Sequence, residues 1–217
     1  MIGNIYRRGE KMNNKDQRNT HEKFTFDKPG NVLYPVPAVL VSCQSREGRK
    51  NVFTVAWTGT VCSDPPMVSI SVRKSRFSHD MICDTGEFVI NLTTKELVRA
   101  TDFCGVRSGR DIDKFEACHL TAGECQKVKA PLVVESPINI ECRVKQMIGL
   151  GSHDMFIAEV VAVDADKRLM DKNGKFHMED ANLIAYNHGS YFELGKMLGS
   201  FGYSVKKQGK KKSRRSK

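Results

Sequence analysis

Residues 51–73 constrain the fold more than any other stretch of the chain. Between 51 and 62, Phe53, Val55, Trp57 and Val61 fall on one parity and Thr54, Ala56, Thr58 and Thr60 on the other. Successive side chains of a strand point to opposite faces, so this alternation predicts one strand with a core face and a face of small hydroxyls. Asp64, Pro65 and Pro66 interrupt it, because proline has no N–H to give to a ladder. Residues 67–73 then repeat the arrangement, with Val68, Ile70 and Val72 against Ser69, Ser71 and Arg73.

Further strands are expected at 38–43, joined to the first by a Glu47-Gly48 turn, at 88–92, at 138–145 and at 155–163. The 138–145 segment alternates Ile138, Ile140, Cys142 and Val144 with Asn139, Glu141, Arg143 and Lys145. Six strands with few long crossovers predict a mainly β fold, a small antiparallel barrel with a few flanking helices. One helix is expected over 75–83, with Phe77 and Met81 at i, i+4. A second is expected over 93–103, opened by a capping box of Thr93 with Glu96.

The chain has 217 residues and a formal charge of +10, and the place of that charge matters more than its size. Residues 206–217 carry eight Lys or Arg and no acid, and residues 1–19 carry five bases against Glu10 and Asp16, which leaves 20–205 at −1. A near-neutral body argues against nucleic acid as the main partner. We therefore expect one domain, 20–205, between two disordered tails, 1–19 and 206–217. The first tail lacks the apolar core of a secretory leader, and no run reaches the ~18 apolar residues of a membrane span. The seven cysteines have no CxxC pair, and only Cys118, His119 and Cys125 come near a metal-ligand spacing. They read as reduced thiols in a cytoplasmic protein with no metal, and nothing in their spacing favours a redox pair.

Candidate chemistry concentrates where the strand 67–73 hands over to a helix. A helix start exposes unpaired N–H groups, so Ser75 and Ser78 with Arg73 or Arg76 can hold an anion there. The same pattern also suits a solvated, capped helix start, and the hydroxyl row of Thr54, Thr58 and Thr60 also suits the wet face of a sheet. In residues 105–115, Ser108-Gly109 can form a backbone nest or an ordinary turn. His153, just before a strand, is the best-placed histidine for proton or substrate work, although loop histidines are often bystanders. No hydrolase or kinase signature is present.

Residues 51–105, together with SGRDIDKF at 108–115, GSHDMFIAEV at 151–160 and LIAYNHGSYFELG at 183–195, resemble the flavin reductase-like proteins of the FMN-binding split barrel. The similarity covers nearly all of 31–198, with one departure at Ser152, where many relatives carry Asp. It implies FMN, or FAD, held non-covalently at a homodimer interface. By resemblance Thr54, Val55, Ala56 and Trp57 line the flavin, Ser71, Val72 and Arg73 run beside the ring and ribityl chain, Ser75, Arg76 and Ser78 take the phosphate, and Ser108 and Gly109 close the site. His153 becomes the candidate catalytic residue. The implied function is an oxidoreductase passing electrons from NAD(P)H or a redox partner through the flavin to a small-molecule or redox-protein acceptor. The alternative is a flavin-binding or electron-carrier protein without NAD(P)H turnover.

Overall fold

The computed structural model describes residues 23–206; the tails expected at 1–19 and 206–217 lie outside them, apart from Lys206. Contacts divide the chain after Val32 into two units. The described part of the first, 23–32, has neither helix nor strand, and its Phe24 and Phe26 rings meet edge to face at 5.2 Å.

The described residues of the second unit form twelve strands: β1 (Val36–Pro37), β2 (Val39–Gln44), β3 (Lys50–Val55), β4 (Thr58–Ser63), β5 (Pro66–Arg73), β6 (Glu87–Leu92), β7 (Ala122–Gly123), β8 (Leu132–Val133), β9 (Ile138–Gly149), β10 (His153–Ala165), β11 (Ile184–Asn187) and β12 (Ser190–Glu193). Its α-helices are α1 (Phe77–Thr85), α2 (Val98–Val106) and α3 (Lys114–Ala117). Seven strands form one antiparallel sheet in the order β3-β2-β6-β9-β10-β5-β4. β1, β11 and β12 form a second sheet, and β7 pairs with β8.

The expected single strand over 51–62 is two strands, β3 and β4, at opposite edges of the main sheet. Flat, those edges would lie ~29 Å apart at ~4.8 Å per strand. The chain from Val55 to Thr58 reaches at most ~11 Å. The sheet therefore curls until its edges meet, and Ala56 and Trp57 cross the seam, where Ser71 N–H donates to the Trp57 carbonyl at 2.9 Å. The result is a split barrel.

This break also corrects the face assignment. Phe53 and Val55 are core, but Val61 is 51% exposed, because the β4–β5 pairing is irregular between Thr60 and Cys62 and leaves Val61 unpaired. Trp57 sits half-buried at the seam, 6.1 Å from the Tyr34 ring, rather than in the core.

Inside the barrel Val39, Val41, Phe53, Ile70, Val72, Ile82, Phe88 and Phe156 pack together. Outside it, Leu40 and Val52 pack beneath α2 and α3 with Leu97, Cys104 and Phe115. β2 is thus covered on both faces, which is why residues 38–43 read as a continuous apolar run rather than an alternation. Among the described residues, Asp164 Oδ2 is the one buried side-chain oxygen or nitrogen without a hydrogen-bond partner; the others are paired. Glu141 accepts from the backbone N–H groups of Gln126, Lys127 and Val128 at 2.8, 2.7 and 3.1 Å, and Asn91 Oδ1 accepts from Val133 N–H at 2.9 Å.

The helices start later than expected. α1 begins at Phe77 with Arg76 as its N-cap, and α2 begins at Val98. The capping box does not form, because the Thr93 hydroxyl donates instead to the Ala38 carbonyl and so ties the end of β6 to β2.

Candidate functional site

The end of β5 and the start of α1 form a tight corner: Arg76 N–H donates to Arg73 O at 2.9 Å and His79 N–H to Arg76 O at 3.0 Å. Arg76 has extended dihedrals and offers no side-chain cap, so the first turn of α1 lacks the hydroxyl or carboxylate that usually satisfies its N–H groups. Two adjoining cavities open on this corner. The larger, 240 Å³, is lined by Arg73, Ser75, Arg76, Arg107, Arg110 and Lys114, with Ser108 and Gly109 on its far wall. The smaller, 140 Å³, runs along the seam past Thr54, Ala56, Trp57, Ser71 and His153. Phe53, Arg73 and Arg76 line both, so the two make one trough.

The thirteen residues that the family resemblance assigns to the site line this trough, although not all offer a side chain to it. Thr58 and Thr60 of the hydroxyl row lie outside it, the Thr58 hydroxyl donating to the Ser69 carbonyl at 2.8 Å. Val55 and Val72 turn their side chains into the barrel core and present backbone. The Thr54 hydroxyl donates to the Thr101 carbonyl, holding β3 against α2. Ser78 is 1% exposed, so it is buried beneath the cavity surface, and its oxygen accepts from Asn51 Nδ2 at 2.6 Å. Gly109 lies so close to β3 that a Cβ there would stand 2.2 Å from Asn51 Oδ1, which is why only glycine fits.

The larger cavity holds five cationic side chains and no carboxylate. Arg110 is fixed by donating to the Ser75 carbonyl at 3.0 Å. Beside it Arg49 lies 4.4 Å over the Phe77 ring and donates to Gly109 O at 2.7 Å. Lys114 is 3% exposed, and its Nζ donates to the Cys104 carbonyl at 3.0 Å. Burial holds its pKa below the ordinary lysine value, and the neighbouring Arg76 pushes the same way. His153 shows the same imbalance at the other end: burial, Arg73 and Arg76 hold its pKa down, while its Nδ1 meets only the Ser152 hydroxyl, at 2.9 Å. His153 is therefore a neutral imidazole at pH 7. The site is short of negative charge throughout its length.

A buried pair braces the corner. His79 Nε2 lies 2.8 Å from Asp154 Oδ2, and its Nδ1 lies 2.9 Å from Asp80 Oδ1. Burial opposes the charge on His79, but the two carboxylates outweigh it and hold its pKa above the ordinary value. Asp154 is held low, chiefly by that hydrogen bond to His79. The pair ties α1 to the start of β10, one residue from His153.

Residues 32–194 match the flavin reductase like domain. The chain belongs to the flavin reductase-like family. This places it among the flavin-linked oxidoreductases, and the split barrel is the fold of its structural neighbours. The flavoredoxin of Desulfovibrio vulgaris (Miyazaki F) is 29% identical, with a TM-score of 0.79 over 85% of this chain and 100% of that one. A flavoredoxin from Methanosarcina acetivorans is 26% identical, with a TM-score of 0.77 over the same 85% and 100%. A protein of Archaeoglobus fulgidus is 34% identical over 159 residues, 73% of this chain and 86% of that relative.

In this flavin reductase-like chain, sequence reasoning missed Arg107, Arg110, Lys114 and the His79–Asp154 pair. The two arginines stood in a segment already singled out for its backbone nest, and their charge was the signal to use. Lys114 and the histidine–aspartate pair gave no local signal, since burial and the 75-residue separation of the pair are set by the fold.

Proposed function

We propose that the trough binds FMN and that the protein is an FMN-dependent oxidoreductase taking electrons from NAD(P)H. The single observation that carries this reading is the acid-free cavity of five cations at an uncapped helix start, continuous with a seam lined by Ala56 and Trp57. A phosphate dianion satisfies the first and a planar ring system the second.

In this reading Arg73, Arg76, Arg110 and Lys114 hold the phosphate, with Ser75 as a hydroxyl donor. Ser71 and the backbone at Val72 border the ribityl chain, and Trp57 and Ala56 border the ring. FMN held there would supply the hydride-accepting and electron-transfer chemistry of the reaction. The protein positions the ring and shields it from water. Neutral His153 can accept or donate a hydrogen bond toward the substrate side without adding charge. A second copy of the chain fits the exposed apolar residues Phe192, Leu194, Met197, Leu198 and Phe201 at and after β12, and a monomer mass by light scattering would remove that part of the reading.

Comparing FMN with riboflavin titrations isolates the phosphate. Arg76→Ala is expected to weaken FMN binding by roughly ten- to a hundredfold, the value of a charge-assisted hydrogen bond, with little change for riboflavin. Equal losses for both ligands would remove the phosphate assignment, and a wild-type protein that takes up no FMN would remove the whole reading. Stopped-flow mixing of the FMN-loaded protein with NADH and NADPH then decides turnover. Bleaching with either supports the reductase, and bleaching with neither leaves an electron carrier.

A further inference from the structure

We propose that Cys104 and Cys118 form a peroxide-responsive dithiol whose oxidation closes a covalent ring around the loop that covers the phosphate end of the trough. Their sulfurs lie 3.8 Å apart, the one thiol–thiol contact among the described residues, and all seven cysteines are free. Cys104 sits in α2, buried among Leu40, Val52, Leu97 and Phe115, while Cys118 ends α3. Cys118 is half-buried on the wall of a separate 460 Å³ cavity shared with Ala100, Phe103 and His119, which gives a small oxidant access to one sulfur of the pair. The sulfurs need to approach by only ~1.8 Å to bond.

The position of the pair gives the bond a consequence. Ser108, Gly109, Arg110 and Lys114 all lie between the two cysteines, so the cross-link would enclose every part of the loop that lines the larger cavity. Lys114 also donates to the Cys104 carbonyl, so a displacement of Cys104 is felt by the buried amine.

The reaction consumes one hydrogen peroxide. Cys118 Sγ, as thiolate, attacks a peroxide oxygen; the O–O bond breaks, hydroxide leaves, and the sulfur becomes a sulfenic acid. Cys104 Sγ then attacks Cys118 Sγ; the S–S bond forms, the S–O bond breaks, and the departing hydroxide takes up a proton. Two thiols lose two electrons in total, and peroxide is reduced to two waters. Burial raises Cys118 and pushes Cys104 up to about 12, so both are thiols at neutral pH and the pair responds slowly. The structural part stands on the thiol geometry alone; the effect on ligand rests on the FMN reading above.

The test treats the FMN-loaded protein with hydrogen peroxide, quenches free thiols and maps tryptic peptides without reduction. Trypsin cuts after Arg107, Arg110 and Lys114, so the Cys104 and Cys118 peptides separate unless the sulfurs are joined. The expected result is a linked Cys104–Cys118 pair, slower tryptic cleavage at Arg107 and Arg110, and FMN release slowed about threefold or more by the tethered loop. All three should reverse with dithiothreitol, and none should arise in Cys118→Ser. Exposed Cys83 serves as an internal dosimeter. No linked pair after peroxide exposure prolonged well beyond complete oxidation of Cys83 would overturn the proposal. A linked pair with unchanged loop cleavage and unchanged release would overturn its functional half. If reduced wild-type protein binds no FMN, the FMN reading fails, while the peptide map and loop cleavage still decide the cross-link.

Discussion

At Lys114, burial and charge are in direct conflict. An amine that is 3% exposed has one protein acceptor, the Cys104 carbonyl, and faces Arg76 rather than a carboxylate. Such a group costs stability in the ligand-free protein and is relieved by an anion. Lys114→Met should therefore move two measurements in opposite directions. FMN affinity is expected to fall roughly tenfold or more, and the thermal midpoint of the ligand-free protein is expected to hold or rise. A variant that loses stability while keeping FMN affinity would show that the amine is structural. None of this could be read from Asp113-Lys114-Phe115 as text, where the lysine looks like any loop cation. Arg73 and Arg76 were legible because they follow an alternating strand and precede a helix start.

Between elements, the angle of the corner depends on how α1 is anchored to β10. The His79–Asp154 contact at 2.8 Å does this, joined by Lys74, whose Nζ lies 3.5 Å from Asp154. The pKa of His79 is raised in the folded state, so its stabilisation is present below the unfolded value of ~6.5 and is lost as pH rises through the folded pKa. The pKa of Asp154 is lowered, so its stabilisation is present above ~3.9 and is lost as pH falls through the folded pKa. The pair thus contributes most from about pH 4 to about pH 6.5. His79→Gln is expected to lower the melting temperature more at about pH 5.5 than at about pH 8.5. An equal loss at both would mean that packing of the imidazole against Phe156, 5.7 Å away, is all that His79 provides. The elements themselves were largely legible: five of the six expected strands are single strands near their expected positions, because period-2 alternation is a local property. The helix starts were not, since Thr93 spends its hydroxyl on β2 rather than on α2.

For the whole molecule, the decisive event is the curl that brings β3 and β4, from opposite edges of one sheet, to a shared seam. It separates two residues that the alternation places on one face. Phe53 is in the barrel core and Val61 is exposed. Urea unfolding should show Phe53→Ala costing about 3–5 kcal/mol and Val61→Ala within about 0.5 kcal/mol of the parent. Similar costs for both would mean that residues 51–62 form one strand after all. The sequence by itself determined the mainly β class, five of the six expected strands, and the hydroxyl-and-arginine turn at 71–78, because alternation and proline breaks are written within a few residues. Only the tertiary structure decided that the long alternating run is cut at Ala56 and Trp57, that Arg107, Arg110 and Lys114 join Arg73 and Arg76 around one acid-free cavity, and that Cys104 meets Cys118. Those relations come from closing a sheet on itself, which brings together residues that no local pattern connects.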